Sequence, residues 1–158
     1  MDRSKNLILL NVCIGQVIVG LDQRALLVAL PTLTEYFHTG FTTIRWTILS
    51  YDLILIGLVI TMGRLGDLFG HRRIYTAGFV LFVAGSALCI VSQSPAQLIC
   101  FRVLQAIGGS MISANGRAIA SITVPRAERG KALGLPSTAF HVGFLTGPTL
   151  GGFMIDTI

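Results

Sequence analysis

Charged residues are scarce in this sequence. Lys, Arg, Asp and Glu make up 12% of its 158 residues, whereas soluble domains contain roughly 25% charged residues. Apolar residues make up 53% of the chain, and the mean hydropathy is +0.75. This composition excludes a soluble globular domain and indicates an integral membrane protein.

Residues typical of catalytic and metal sites are scarce as well. The three cysteines, Cys13, Cys89 and Cys100, all lie in apolar segments, and no C-x-x-C spacing is present. The motifs H-E-x-x-H and G-x-S-x-G are absent too, as is a cysteine–histidine arrangement that would suit a nucleophilic enzyme. We therefore expect neither an enzyme nor a bound metal or cofactor.

Five apolar segments are long enough to cross a bilayer, which requires about 20 residues. They are about residues 7–33, 44–62, 74–91, 96–122 and 132–155. No low-complexity tract or linker interrupts them. We predict an all-α integral membrane fold, in which residues 1–158 form one domain of about five transmembrane helices in the lipid bilayer.

The net charge of +5 would suggest nucleic acid as a partner for a soluble protein, but here its distribution follows membrane topology. Only Arg45 lies in the gaps on one side. The opposite side carries Arg3, Lys5, Arg64, Arg72, Arg73, Arg126, Arg129 and Lys131. The positive-inside rule therefore predicts a multi-pass protein of the cell's inner membrane, with a cytoplasmic N-terminus and no nucleic-acid partner.

The gap between the second and third segments, residues 63–73, reads G-R-L-G-D-L-F-G-H-R-R. A carboxylate and two cations at the end of a helix can make and break salt bridges as helices move. We predict a gating loop in which Asp67 accepts hydrogen bonds from arginine side chains or from the N-terminus of a docking helix. Asp67 and Arg72, next to Arg73, would form the inner gate. Gly63 and Gly70, with the glycine between them, would allow a tight turn and close helix approach. The alternative is an ordinary basic cytoplasmic loop.

The pattern G-x-L-x-D-x-x-G-x-R-R resembles the signature loop between the second and third helices of the major facilitator superfamily of secondary transporters. Leu68 and His71 stand at positions that are often basic in that family. The resemblance implies a six-helix half that is repeated in a second half. Residues 1–158 would then be the N-terminal five-twelfths or five-fourteenths of a transporter, with the remaining helices as partners.

The fourth segment reads L-I-C-F-R-V-L-Q-A-I-G-G-S and is similar to the superfamily's R-x-x-Q-G motif, although its glycines, Gly108 and Gly109, follow three and four residues after Gln105. An arginine inside a membrane span is costly and normally faces a partner or a wet cavity. We therefore predict that Arg102 and Gln105 belong to a substrate- and proton-binding site. The alternative is that Arg102 snorkels to the outer interface from a depth of about 9 Å.

The fifth segment contains G-F-L-T-G-P-T-L-G-G, which resembles G-x-x-x-G-P-x-x-G-G, a motif of the antiporter branches. The matching residues are Gly143, Gly147, Pro148, Gly151 and Gly152. Glycines four residues apart share one helix face, which lets another backbone approach closely. Pro148 should kink the helix. We predict a hinge or packing seam here, and the alternative is a plain small-residue packing face.

Residues 21–31 read L-D-Q-R-A-L-L-V-A-L-P, similar to the L-D-x-T-x-x-N-x-A-L-P signature of the fourteen-helix drug:proton antiporter branch. Arg24 and Leu27 replace the usual Thr and Asn, which leaves the substrate class open. Because Asp22 and Arg24 are two residues apart, they face different sides of a helix and each needs its own partner. Pro31 is expected to mark the end of this helix.

Two further ionisable residues lie inside predicted spans. Asp52, about 12 Å below the outer end of its helix, is either a specialised site residue or a partner for Arg24. His141, near mid-membrane, could titrate, but a lone histidine favours hydrogen-bonded packing.

By helical rise, Asp22 lies about 15 Å and Arg102 about 9 Å from the outer surface, within about one turn of each other. A carboxylate beside a fixed cation in a half-dry cavity can exchange a proton for a substrate. We predict a secondary transporter that uses the proton gradient to export drug-like or other amphipathic small molecules. The rival interpretation is a truncated or stand-alone, non-transporting membrane protein that packs with partner helices through its glycine faces.

Overall fold

The computed structural model describes residues 3–156 and the side chains of residues 4–153. Five α-helices make up most of this range: α1 (Arg3–Tyr36), α2 (Phe41–Phe69), α3 (His71–Ile90), α4 (Pro95–Thr123) and α5 (Arg129–Asp156). A short 3-10 helix, Arg126–Glu128, connects α4 to α5. Residues 3–156 contain no β-strand, and the all-α prediction is confirmed.

All five helices begin before the apolar segments that predicted them, and four also end after those segments. The prediction that Pro31 ends the first helix is wrong, because α1 continues through it to Tyr36. A proline removes one hydrogen bond and bends a helix without having to stop it. The following turn is reinforced by the Thr34 hydroxyl, which donates to the Leu30 carbonyl at 2.7 Å.

The predicted loop at residues 63–73 is almost entirely helical, so that prediction is wrong as well. Gly70 alone separates α2 from α3, with φ at +95°. Only glycine adopts this conformation without strain, and the Gly70 N–H closes the end of α2 by donating to the Gly66 carbonyl at 2.9 Å. Gly66 also allows close approach of α4, because a Cβ there would overlap the Asn115 amide.

α4 is the most buried helix and contacts all four others. A Cβ at Gly85 of α3 would lie 2.8 Å from the Cα atom of Gln105, and one at Gly108 of α4 would lie 2.6 Å from the Phe82 nitrogen. Side chains are excluded from these contacts, so the backbones of α3 and α4 approach closely. This approach holds the polar residues of α4 against α3.

A second close seam joins α1 to α5. Added Cβ atoms on Gly143, Gly147 and Gly151 would meet the carbonyl oxygens of Val17, Leu21 and Ala25 of α1, respectively. The glycines therefore lie four residues apart on the face of α5 that packs against α1, as the motif predicted. α5 remains helical through Pro148.

Four helices, α1 to α4, are long and apolar enough among the described residues to cross a membrane. α5 has 28 residues but is not in that set, since serine, threonine, glycine and histidine dilute its apolar residues. Large apolar side chains such as Leu53, Ile60 and Val80 are exposed, as expected for a surface in lipid. We call the end where α1, α3 and α5 begin the basic end, since Arg72, Arg126 and Lys131 lie there.

Candidate functional site

Asp22 of α1 and Arg102 of α4 form an ion pair inside the bundle. Arg102 Nη1 donates to the two carboxylate oxygens at 3.1 and 2.9 Å. It also donates to Gln105 Oε1 at 2.7 Å, while Gln105 Nε2 donates to Asp22 Oδ1 at 2.9 Å. The three side chains thus form a closed hydrogen-bonded group, the Asp22 cluster, and the expected contact between Asp22 and Arg102 is confirmed.

Residues from two other helices complete the surroundings of the Asp22 cluster. Gln105 Nε2 also donates to the Ser86 hydroxyl of α3 at 2.6 Å, and that hydroxyl donates to the Phe82 carbonyl. The Arg102 guanidinium lies over the ring of Tyr51 of α2, 4.3 Å from its centroid. α3 and α2 therefore hold the cluster from two sides, and a cation–π contact adds to its stability.

The two charges of the cluster differ in accessibility. The side chain of Arg102 is 2% exposed and that of Asp22 is 24% exposed. The carboxylate is therefore partly open to its surroundings, whereas the guanidinium is enclosed by the bundle. Within the described part of the chain, Arg102 Nε and Nη2 and the Tyr51 hydroxyl are buried without hydrogen-bond partners.

The Arg102 guanidinium has two contacts besides the Asp22 carboxylate. It donates to Gln105 Oε1 and lies over the ring of Tyr51. These contacts hold the guanidinium in a fixed position beside the carboxylate.

Arg24 and Asp52 do not pair with each other. The Arg24 guanidinium lies 4.1 Å from the centroid of the Phe144 ring of α5. Asp52 Oδ1 accepts a hydrogen bond from Gln23 Nε2 at 2.6 Å. The predicted alternative of an Arg24–Asp52 pair is wrong, because Gln23 is the α1 residue that faces Asp52.

The ion-pair partner of Asp67 in this structure is His71, and no contact between Asp67 and Arg72 is present among the described residues. The continuation of α2 to Phe69 and the turn at Gly70 bring Asp67 Oδ1 to 3.3 Å from His71 Nε2. Asp67 is 65% exposed and His71 is 18% exposed. His71 Nδ1 lies 2.9 Å from Asn115 Oδ1 of α4, which ties the α2–α3 turn to the most buried helix.

The partners of Asn115 fix the proton on His71. Asn115 Nδ2 donates to the Met62 and Met111 carbonyls at 3.0 and 2.9 Å, so Oδ1 faces the imidazole. Because that oxygen only accepts, His71 Nδ1 must carry a hydrogen.

Besides His71, the members of these networks that were not predicted as site residues include Ser86, Asn115, Tyr51 and Gln23. Each is a polar group inside an apolar helix, which is a general signal for an internal partner. That signal is weak for serine, whose hydroxyl group often bonds to its own helix. The imidazole of His141 shows this local behaviour, since Nδ1 donates to the Ser137 carbonyl at 2.7 Å.

Comparisons with known proteins match almost the whole chain. The sequence profile of the Major Facilitator Superfamily matches residues 12–158. The riboflavin transporter RibZ of Clostridioides difficile is 35% identical over 154 residues, which are 98% of this chain and 34% of that protein. The multidrug resistance protein Stp of Mycobacterium tuberculosis is 34% identical over 157 residues, 99% of this chain and 29% of that protein.

A solved structure shares the fold. It is a bacterial homologue of the human lysosomal transporter Spinster, in an inward-facing and unoccupied conformation, with a TM-score of 0.85 and 19% sequence identity. The match covers 96% of this chain and 32% of that one. The chain thus spans about a third of the length of its relatives. It belongs to the major facilitator superfamily, a family of membrane transporters and not of enzymes.

Proposed function

We propose that this chain forms the N-terminal part of a proton-coupled secondary transporter that exports drug-like or amphipathic small molecules. The Asp22 cluster gives this proposal its main support, because the partly exposed carboxylate of Asp22 pairs with the buried guanidinium of Arg102. Asp22 exchanges a proton for the substrate. Arg102 and Gln105 hold the carboxylate in place when it carries neither of them. The proton gradient supplies the energy, without a cofactor.

The relatives support transport of organic small molecules, since one is named for riboflavin transport and another for multidrug resistance. The remaining parts of the mechanism follow from positions in this fold. Asp67, Arg72 and Arg73 flank the turn at Gly70, where a moving helix would meet the basic end. The glycines of α5 form the seam along which α1 and α5 stay packed as the bundle moves.

Transport by the complete gene product tests the proposal. The purified protein would be reconstituted in vesicles with an imposed pH gradient, and uptake of fluorescent amphipathic drugs would be followed. We expect uptake that requires the gradient and stops when a protonophore collapses it. Uptake that continues unchanged after the collapse would contradict proton coupling.

The proposed topology places the N-terminus and the basic end in the cytoplasm. In a variant without Cys13, Cys89 and Cys100, a cysteine at exposed His38 should react with a membrane-impermeant thiol reagent in intact cells. A cysteine at exposed Glu128 should react only after the cells are permeabilised. The reverse pattern of labelling would overturn the topology.

Asp67 is proposed to act in gating through its contact with His71. Asp67→Asn should leave the membrane level unchanged, because the side chain is mostly exposed. Transport should fall about five- to tenfold, in the range of the coupling energies of conformational switches. Glu35→Gln, which removes an exposed carboxylate near the end of α1, is the matched control and should transport normally. Near-normal transport by Asp67→Asn would contradict a role in gating and would mean that the motif at residues 63–73 serves only to set the membrane topology.

A further inference from the structure

The hydroxyl group of Tyr51 is a buried polar group that has no partner in this structure. Tyr51 of α2 is 0% exposed, and its hydroxyl oxygen makes no hydrogen bond within the described part of the chain. A buried hydroxyl without a partner is costly, and a native protein that keeps one often uses it in the chemistry of a site. Such a hydroxyl is expected to find its partner in another state of the protein.

The Tyr51 hydroxyl lies beside the Asp22 carboxylate. Asp22, Arg102 and Asp52 are the charged side chains that act on it. Asp22 is near enough for a side-chain hydrogen bond, although the geometry of one is not formed. The Arg102 guanidinium lies 4.3 Å from the centroid of the Tyr51 ring, which holds the tyrosine against the Asp22 cluster. The hydroxyl is thus an unused donor next to the carboxylate.

The packing of α4 leaves space for this hydroxyl. A Cβ added to Gly109 would lie 3.0 Å from the Tyr51 hydroxyl oxygen, which is closer than an ordinary contact. A larger residue at position 109 would therefore press against the hydroxyl. Gly109 follows Gln105 by four residues, so both lie on one face of α4. That face supplies a member of the Asp22 cluster and also accommodates Tyr51.

The two oxygens of Asp22 have different donors. Oδ1 accepts from Arg102 Nη1 and from Gln105 Nε2, whereas Oδ2 accepts from Arg102 Nη1 alone among the described residues. Gln105 Nε2 is also bound to the Ser86 hydroxyl of α3, which anchors it independently of Arg102. If the ion pair opens, Oδ1 keeps a donor and Oδ2 loses its own. The Tyr51 hydroxyl is a donor that could replace it.

We propose that the Tyr51 hydroxyl donates to the Asp22 carboxylate when Arg102 releases it. This inference rests on the proposed function, in which exchange at Asp22 requires the ion pair to open. Tyr51 donates a hydrogen bond and keeps its own proton, so the proton that is exchanged is that of Asp22. The replacement donor makes opening of the pair less costly, because a carboxylate oxygen is not left without a hydrogen bond.

Tyr51→Phe removes the hydroxyl and keeps the ring beside Arg102. Thermal unfolding of the complete gene product in detergent would be measured in two backgrounds, unmodified and Arg102→Met, the second of which has no ion pair. In the unmodified background the melting temperature should stay the same or rise slightly, because the hydroxyl has no partner there. In Arg102→Met the same substitution should lower it by about 2 °C or more, since the hydroxyl then binds Asp22.

Tyr75→Phe is the matched control for these measurements. Tyr75 is a buried tyrosine of α3 whose hydroxyl already donates to the Asn11 carbonyl at 3.2 Å. Its removal should lower the melting temperature equally in both backgrounds, because independent changes add. If Arg102→Met does not accumulate in the membrane, Arg102→Gln takes its place, and we expect a smaller shift in the same direction.

Transport separates this role from a purely structural one. In vesicles, Tyr51→Phe should slow gradient-driven uptake about tenfold, as expected when one charge-assisted hydrogen bond is lost from the opened pair. Exchange of labelled for unlabelled substrate at equal pH should be unchanged, because Asp22 need not take up a proton in that reaction. A variant that is merely less stable would lose both activities together.

Three results would overturn the inference: equal effects of Tyr51→Phe on the melting temperature in the two backgrounds, a fall in the unmodified background as large as that of Tyr75→Phe, or an unchanged ratio of gradient-driven uptake to exchange. The unfolding measurements require no transport. Absence of gradient-driven uptake by the unmodified protein would contradict the proposed function, and the melting temperatures would still decide whether the hydroxyl serves Asp22.

Discussion

Asp22→Asn in the complete gene product should reduce proton-driven export to the level of vesicles that lack the protein. Asparagine has nearly the size of aspartate, and its amide oxygen can still accept from Arg102. It cannot take up or release a proton, however, and the exchange step is lost. Some substrate binding should remain, because the other groups of the site are unchanged. Gradient-driven export in vesicles, with substrate binding measured in parallel, is the test.

Removing Arg102 instead of the Asp22 carboxylate should impair folding. Arg102→Ala would leave Asp22 without its cation, and breaking a buried pair in this way costs about 3–5 kcal/mol in soluble proteins. It would also remove the stacking contact with Tyr51. We expect a clear fall in the amount of folded protein in the membrane. Arg45→Ala, at an exposed arginine near the start of α2, is the matched control and should express normally.

The double variant tests whether Asp22 and Arg102 act as a coupled pair or as two independent residues. Asp22→Asn combined with Arg102→Ala has no orphaned carboxylate, so its membrane level should be higher than that of Arg102→Ala alone. Residues in contact show such non-additive effects, whereas independent residues add. Strictly additive losses, or normal coupling by Asp22→Asn, would contradict the paired site and make Asp52 or His141 the next candidates.

The contact between Asp22 and Arg102 could be predicted because it depends on only two quantities, helix direction and rise per residue. Both residues are charged and lie inside apolar segments, so each required a partner at its own depth. Gln105 followed from its position one turn after Arg102 on the same helix. Local spacing was therefore sufficient wherever the partner was on the same helix or at a matched depth.

The partner of Asp67 could not be predicted in the same way. The glycines at 63–73 suggested a loop, in which Asp67 could reach either arginine. Instead α2 continues to Phe69, and the turn at Gly70 places His71, the first residue of α3, beside Asp67. The third member, Asn115, is 44 residues further along the chain, and only the packing of α4 brings it there. Such a contact depends on tertiary structure that no local pattern encodes.

The close packing of α1 against α5 predicts that alanine substitutions at the glycines of α5 differ in how much they destabilise the protein. A Cβ added at Gly147 or Gly151 would lie 2.8 Å from a backbone oxygen of α1, and one added at Gly143 would be closer still. A Cβ at Gly152 would lie 3.6 Å from a Val28 methyl group, an ordinary contact. Because backbone oxygens cannot move aside like flexible side chains, only the first three substitutions force the helices apart.

Alanine at each of these positions should therefore destabilise the protein in the order Gly143, then Gly147 and Gly151 together, then Gly152 with little effect. Overpacking typically costs about 1–3 kcal/mol and occasionally more, so Gly143→Ala should strongly reduce the folded fraction. Gly134→Ala, on the same helix with nothing within 4 Å of its Cβ, is the matched control and should be as stable as the unmodified protein. Thermal unfolding in detergent, followed by size-exclusion chromatography, measures the series. Equal stability of Gly143→Ala and Gly134→Ala would show that α1 and α5 do not pack backbone to backbone.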